Sequence, residues 1–202
     1  YIIAFVLVAV PAMVSKDKAA PAVSDADKRK AEYYFLEAQN EKNHDRGDSY
    51  YDLVKRAHEL DPSNSVYSFY LGYLTRMMKN PDRTRANEAL ALMKQHYDSC
   101  PGDYYETQFY SDANLALGNP GEALKAIKTL CDRNPHRMEL QARLAEAYAR
   151  MGDHAASNET YDSIEVIMGK SMAISSKKVA NYITMNDTAS AIAEMRSLVE
   201  SN

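Results

Sequence analysis

Glycine and proline are scarce in this sequence, with seven of each among 202 residues. Both residues disfavour helix interiors, whereas Ala, Leu, Glu, Lys and Met, which fill much of the chain, favour them. The few glycines form no G-x-G-x-x-G or P-loop motif, and the G-x-S-x-G motif of serine hydrolases is missing too. The composition therefore predicts an all-α protein, and we expect no enzymatic activity from this chain.

A sustained block of basic residues is also missing, and the formal net charge is -4 at pH 7. Proteins that bind nucleic acid usually carry a basic patch or stripe that contacts the phosphates. We therefore expect no nucleic-acid partner. The many carboxylates are interpreted as the solvated face of a helical protein, because no catalytic pair is indicated by their spacing.

Cysteine is limited to Cys100 and Cys131. We interpret them as two structural thiols, with a disulfide as the alternative if the protein is exported. Zinc sites need several ligands at set spacings. The histidines here show no recurring spacing and no H-E-x-x-H motif. We therefore predict no metal and no cofactor, and we interpret every histidine as a surface or helix-end residue. The five are His44, His58, His96, His136 and His154.

The one long apolar run covers residues 2–14, which is shorter than the about 20 residues that cross a bilayer. It resembles the hydrophobic region of a secretory signal peptide. We predict that residues 1–15 are a signal peptide, incomplete at its start because the chain begins with Tyr1, and that residues 16–28 are a flexible leader. The protein is then expected in the periplasm or another exported location, without a membrane span after cleavage; an uncleaved anchor is the alternative.

Two stretches of the chain repeat one plan at an interval of 34 residues. LALGNPGEALKAIKTLCDRNP contains Gly118, Ala123 and Pro135, and ARLAEAYARMGDHAASNETYDSI places Gly152 34 residues after Gly118. The pattern resembles the tetratricopeptide repeat, which has small residues at positions 8 and 20, Gly near 15 and Pro at 32. This resemblance implies an α-α superhelix of about five helix-turn-helix repeats.

Counting by this interval places the array at residues 31–202. Its five units are 31–64, 65–103, 104–137, 138–171 and an incomplete 172–202. The second unit is longer because extra residues fall in MKNPDRTRAN, where Pro81 interrupts the helix and Asp82 or Thr84 can cap the next one.

The fifth unit has Asn186 at the turn position that Gly normally holds. It also ends before its closing position, which leaves an apolar face on Ile192, Met195 and Val199 uncovered. We therefore expect the chain to be a fragment of a longer protein.

In this repeat family, positions 2, 5 and 9 of the first helix line the concave face. The first three units carry large aromatic rings there, and the last two carry residues such as Glu139 and Ala173. Aromatic rings give a large contact area at low entropic cost, so we predict a partner-binding surface. The alternative is that the rings pack as core between repeats. The predicted partner-binding residues are Phe35, Phe69, Tyr73 and Tyr105.

Some tetratricopeptide domains hold a C-terminal carboxylate with Lys, Asn and Arg on their first helices. The corresponding positions here are Phe35, Gln39, Tyr70, Tyr105 and Phe109, so this clamp is not expected. The resemblance implies a non-enzymatic scaffold that binds a peptide or protein along its concave face, and the apolar run at residues 2–14 leads us to expect it in the cell envelope. The alternatives are a structural spacer or assembly platform, and the substrate-docking arm of an enzyme whose catalytic domain lies beyond residue 202.

Overall fold

The computed structural model describes residues 22–77 and 81–201. This part of the chain forms ten α-helices and contains no strand, which confirms the all-α prediction and its five helix pairs. The helices are α1 Asp25–Asn43, α2 Gly47–Leu60, α3 Ser65–Met77, α4 Arg83–Ser99, α5 Tyr104–Ala116, α6 Pro120–Arg133, α7 Met138–Arg150, α8 His154–Met168, α9 Met172–Thr184 and α10 Thr188–Glu200.

The first helix begins earlier than the sequence suggests. Ser24 caps α1, since its Oγ accepts a hydrogen bond from the backbone N–H of Asp27 at 3.1 Å. Asp25 and Asp27 lie in the first turn, where negative charge is favoured by the helix dipole. The assignment of residues 25–28 to a flexible leader is therefore wrong. The predicted signal peptide at residues 1–15 lies outside the described residues.

Packing follows the order of the sequence, as expected for a solenoid. Each odd-numbered helix packs on the even-numbered helix after it, and that helix packs on the next odd-numbered one. The first helices of neighbouring repeats also touch through their side chains. Contacts of this kind are Phe35 with Tyr67, Tyr73 with Phe109, Asp112 with Arg143, and Glu146 with Lys177.

Small residues let the two helices of a repeat approach each other, as the repeat pattern predicts. Gly72 on α3 is buried, and a Cβ atom added there would overlap the carbonyl oxygen of Ala89 on α4. Ala89 itself is fully buried. Position 8 is also buried in the first, third and fourth repeats, where it is held by Ala38, Ser111 and Ala145.

The turns between paired helices use left-handed backbone conformations. Gly118 and Gly152 have φ angles of 79° and 83°, and Asn186 has a φ angle of 60° at the corresponding place. Asn is one of the few non-glycine residues that adopts this region readily. The prediction that Asn186 replaces the usual glycine is therefore confirmed.

The longer connection in the second repeat ends at a defined cap. Pro81 lies before α4, and the Asp82 carboxylate accepts a hydrogen bond from the backbone N–H of Arg85 at 2.8 Å. Thr84 lies inside the helix, so Asp82 is the capping residue of the two candidates. Residues 78–80 of this connection lie outside the described residues.

Large apolar residues pack both between and within later repeats. Ile127 and Leu130 on α6 pack with Leu140 on α7, and Tyr161 and Ile164 on α8 pack around Ala145. At the last helix, Ile192, Met195 and Val199 are exposed, as the sequence predicts. Within residues 22–77 and 81–201, no helix has both the length and the apolar character needed to cross a bilayer.

Candidate functional site

Five rings on α1, α3 and α5 contact one another in a continuous series. Their centroids lie 5.4 Å apart for Phe35 and Tyr70, 5.5 Å for Tyr70 and Phe69, 6.2 Å for Phe69 and Tyr73, and 4.9 Å for Tyr73 and Phe109. These five residues are called the aromatic row below. The row crosses the first helices of three successive repeats, which are the helices that line the concave face in tetratricopeptide repeats.

The sequence of α3 places three of these rings side by side. Tyr70 and Tyr73 are three residues apart and Phe69 and Tyr73 are four apart, and both spacings bring side chains together on a helix. Phe35 reaches the row from α1, and Phe109 reaches it from α5. The row therefore holds neighbouring repeats together and also presents ring edges at the surface.

Phe69 is the one predicted binding residue that the structure places in the core. Its side chain is 2% exposed and packs with Met93, Tyr97 and Tyr110. The side of α3 that carries Phe69 faces α4 and α5, so the ring packs against these two helices. The prediction that Phe69 contacts a partner directly is therefore wrong.

The other predicted residues differ in how far they reach solvent. Phe35 and Tyr73 are half-buried, whereas Tyr105 is 67% exposed. Tyr105 contacts Tyr104 rather than the row, with ring centroids 5.2 Å apart. It lies one turn before Phe109 on the same helix face, so its exposed ring extends the surface of the row along α5.

Two members of the row were not among the predicted binding residues. Phe109 is 40% exposed, and Tyr70 is half-buried. Burial raises the pKa of Tyr70, and the nearby Glu106 carboxylate raises it further. Both residues stand at position 6 of their repeats, on the same helix face as positions 2 and 9. This spacing is the sequence signal from which they could have been predicted as part of the aromatic row.

Charged pairs replace the rings on the later first helices. The Arg143 guanidinium lies 2.7 Å from the Asp112 carboxylate, joining α7 to α5. The Lys177 ammonium lies 3.0 Å from the Glu146 carboxylate, joining α9 to α7. The aromatic surface of this face is therefore confined to the first three repeats.

A buried ionic network, which is not predicted from the sequence, joins α8, α9 and α10. Lys178 is 2% exposed, and its Nζ lies 2.6 Å from Asp162, 2.8 Å from Glu165 and 2.8 Å from Glu194. Lys170 also bonds Glu194 at 2.8 Å. Burial alone would raise the pKa of Glu194, but hydrogen bonds from these lysines and Ser175 lower it to about 2. We interpret the network as structural, because its members satisfy one another.

The two cysteines are free thiols with different surroundings. Cys131 is buried beside Ile127 and Leu130, and burial raises the pKa of its thiol to about 11. It is a structural thiol, as predicted. Cys100 is exposed at the end of α4, so a structural role for this thiol is not supported.

Three potential metal ligands meet at the turn between α4 and α5. The side-chain donor atoms of His96, Cys100 and Asp103 all lie within 4.8 Å of one another. His96 is 2% exposed and lies in the last turn of α4, so of the two predicted placements, surface or helix end, it occupies the helix end. This group is not predicted from the sequence, because its members follow no familiar ligand spacing.

Comparisons with known proteins support the fold. A family model described as "Bacterial transcriptional activator domain" matches residues 106–178, which is less than half of the chain. A comparison with curated protein sequences finds no match. The arrangement of paired helices is that of a tetratricopeptide-type superhelix, a class that serves generally as a protein-interaction scaffold.

Solved structures resemble the chain over most of its length. A crystal structure of MamA protein shares 16% identity at a TM-score of 0.67, covering 86% of this chain and 92% of that one. MamA from Desulfovibrio magneticus RS-1 shares 12% identity at 0.63, covering 89% and 96%. A tetratricopeptide repeat protein from Parabacteroides merdae ATCC 43184 shares 15% identity at 0.57, covering 86% and 80%. At these identities the likeness shows the fold alone.

Proposed function

We propose that this protein is a non-enzymatic scaffold whose first-helix face over α1, α3 and α5 binds a peptide or protein segment with large apolar side chains. The observation that carries the proposal is the aromatic row, which reaches the surface through Phe109 and is extended along α5 by the exposed ring of Tyr105. Rings of this kind are favoured anchors at protein interfaces.

The surface is also held in place before a partner arrives. Phe69 is fixed in the core and stacks against Tyr73 with an interplanar angle of 12°. Tyr73 in turn contacts Phe109. A partner that covers these rings therefore orders few additional side chains, which lowers the entropic cost of binding.

The chemistry of the surface favours particular features in the partner. Leu, Phe or similar side chains suit this surface, because their burial against the half-buried rings removes apolar area from water on both sides. The hydroxyl groups of Tyr73 and Tyr105 can hydrogen-bond the backbone of the bound segment. Glu106 lies close enough to Tyr70 to raise the pKa of that residue, so a basic residue beside the apolar anchor is also favoured.

We also propose that the protein acts after export, in the periplasm or cell envelope. Support comes from the apolar run at residues 2–14, whose length suits a signal peptide. Cell fractionation followed by mass spectrometry of the mature N-terminus tests this. Loss of residues 1–15 from an exported protein is expected; a cytoplasmic protein that keeps Tyr1 would refute it.

The binding proposal is tested with a display library of short random peptides selected on the purified protein. Selected peptides are expected to be enriched in large apolar residues, and isothermal titration calorimetry then gives their affinities. Tyr105→Ala and Phe109→Ala should each weaken binding by about tenfold or more. These two residues are chosen because Tyr73 is half-buried, and its removal would also lower stability.

Ile183→Ala is the matched control. Ile183 is a large apolar residue that is 63% exposed on α9, a first helix outside the aromatic surface. Its substitution should leave the affinity unchanged. Peptides that bind the Tyr105→Ala and Phe109→Ala variants as tightly as the unaltered protein would refute the proposed surface.

A further inference from the structure

We propose that His96, Cys100 and Asp103 form a binding site for Zn²⁺ at the junction of the second and third repeats. His96 lies in the last turn of α4, Cys100 ends that helix, and Asp103 precedes α5. The His96 Nε2 atom lies 3.0 Å from Oδ2 of Asp103, and the donor atoms of all three residues lie within 4.8 Å of one another. This site does not depend on the proposed function, although the His96 ring contacts the buried Phe69 of the aromatic row.

The imidazole of His96 is oriented in the way that metal-bound histidines are. Its Nδ1 atom lies 3.1 Å from Oγ of Ser65, and its ring packs 5.5 Å from the ring of Phe69. In metal sites, the nitrogen that does not bind the metal usually bonds a neighbouring acceptor, which fixes the ring. With Ser65 in that role, the Nε2 lone pair of His96 points toward Asp103 and Cys100.

Asp103 provides an independent indication, because it does not act as the other aspartates at helix starts do. Asp82, Asp153 and Asp187 each accept a hydrogen bond from the backbone of their own helix, at 2.8, 3.0 and 3.0 Å. Asp103 occupies the same position before α5 without making such a bond. Its carboxylate is turned toward His96 instead, so it is available to a cation there.

Cys100 completes the donor set. Its thiol is exposed, whereas Cys131, near the end of the next second helix, is buried with its pKa raised to about 11. On binding, the Cys100 thiol would release its proton to solvent and the thiolate would bond the metal. No change of oxidation state is involved.

The mixture of one nitrogen, one sulfur and one oxygen donor suits Zn²⁺ among the common divalent ions. Three protein ligands leave the fourth tetrahedral position to water or to a group from a partner. The positively charged guanidinium of Arg133 lies over Gly102 in the same turn and repels a cation. We therefore expect a modest affinity for Zn²⁺ rather than a tight structural site. Because the ligands belong to both sides of the turn, binding would also brace α4 against α5.

Titration of the untagged full chain with Co²⁺, a spectroscopic substitute for Zn²⁺, tests the proposal. We expect one equivalent to give a thiolate-to-cobalt charge-transfer band that Zn²⁺ then removes, and Zn²⁺ to raise the melting temperature. Cys100→Ser should abolish the band and weaken Zn²⁺ binding by about tenfold or more. Asp103→Asn should weaken Zn²⁺ binding while the thiol remains.

Cys131→Ala is the control for the thiol, and it should keep the band. His96 is buried, so the test relies on the exposed residues Cys100 and Asp103, whose variants are expected to fold. Circular dichroism of each variant confirms that folding. A band that persists in Cys100→Ser, or an unaltered protein that gives neither the band nor a Zn²⁺-dependent rise in melting temperature, would overturn the proposal.

Discussion

The first three repeats and the last two share one backbone plan but fill the spaces between their helices with different chemistry. In the first region, Phe69, Met93, Tyr97 and Tyr110 form an apolar core that continues into the aromatic row. In the last region, the ammonium of Lys178 is enclosed by carboxylates of three neighbouring residues. The repeat pattern therefore determines where the helices lie but does not determine which side chains fill the spaces between them.

Buried amide and hydroxyl groups also occupy the spaces between the helices of the last two repeats. The Asn181 amide donates to Ser157 Oγ at 2.9 Å and to Asn158 Oδ1 at 2.8 Å, and its oxygen lies 3.0 Å from Nδ1 of His154. Buried polar groups are costly when they lose a partner, whereas apolar cores are sensitive to lost volume. The two regions should therefore fail under different perturbations.

Removal of a core ring should have the largest effect. We expect Phe69→Ala to lower the free energy of unfolding by about 3–5 kcal/mol, because a cavity replaces the ring between α3, α4 and α5. Tyr105→Ala removes an exposed ring of the aromatic surface and should change the free energy of unfolding by less than about 0.5 kcal/mol. Urea unfolding followed by circular dichroism measures both. Equal losses would contradict the division between core and surface rings.

Removal of the buried ammonium should have a slightly smaller effect. Lys178→Met leaves Glu165 and Glu194 with the more exposed Lys170 and the hydroxyl of Ser175 as partners, so we expect a loss of about 3 kcal/mol. Lys177→Met is the control, since the exposed pair of Lys177 with Glu146 is worth less than about 1 kcal/mol. The same urea experiment compares them, and an unchanged stability for Lys178→Met would show that the network is dispensable.

The close contact of paired helices, which both regions share, should respond to added volume. Gly72→Ala is expected to cost about 1–3 kcal/mol, because its methyl group meets the backbone of Ala89. Gly121→Ala adds the same group at the start of α6, where nothing lies within 4 Å, and should be neutral or stabilising by up to about 1 kcal/mol. If the two variants have the same thermal stability, the predicted contact is not tight.

Mild acid should have the smallest effect, and it should act on the last two repeats. The folded-state pKa of Glu194 is about 2, below the ordinary value of 4.5. The stability that Glu194 contributes is therefore complete above its ordinary pKa and is lost as the pH falls toward 2. Comparison of the unaltered protein with Glu194→Gln at about pH 6 and about pH 3 should show a smaller difference in stability at the lower pH. A difference that grows in acid would contradict this sign.

Local signals in the sequence were enough to predict the helices and their turns. The 34-residue interval, the left-handed conformations of Gly118 and Asn186, and the cap at Asp82 all depend on neighbouring residues. The start of α1 was missed because Ser24 lies among Ala, Pro and charged residues that resemble a linker. A capping serine is visible in sequence only when the helix after it is already recognised.

The site was predicted less completely, because it depends on contacts between repeats. The aromatic residues Phe35, Phe69 and Tyr73 are visible in the sequence at positions 5 and 9, but the burial of Phe69 is set by its packing against α4 and α5. The partners of Lys178 likewise come from separate helices and meet only after the repeats stack. His96, Cys100 and Asp103 lie close together in the chain, but their spacing matches no familiar ligand motif. Spacing alone does not reveal such groups.

The most direct test of the account is amide hydrogen exchange of the full chain, followed by mass spectrometry, with and without a selected apolar peptide. We predict that the peptide slows exchange in α1, α3 and α5 and leaves α7 and α9 unchanged, because only the first three repeats carry the aromatic surface. Slower exchange confined to the last two repeats, or spread evenly over all five, would contradict the claim that this surface is the binding site.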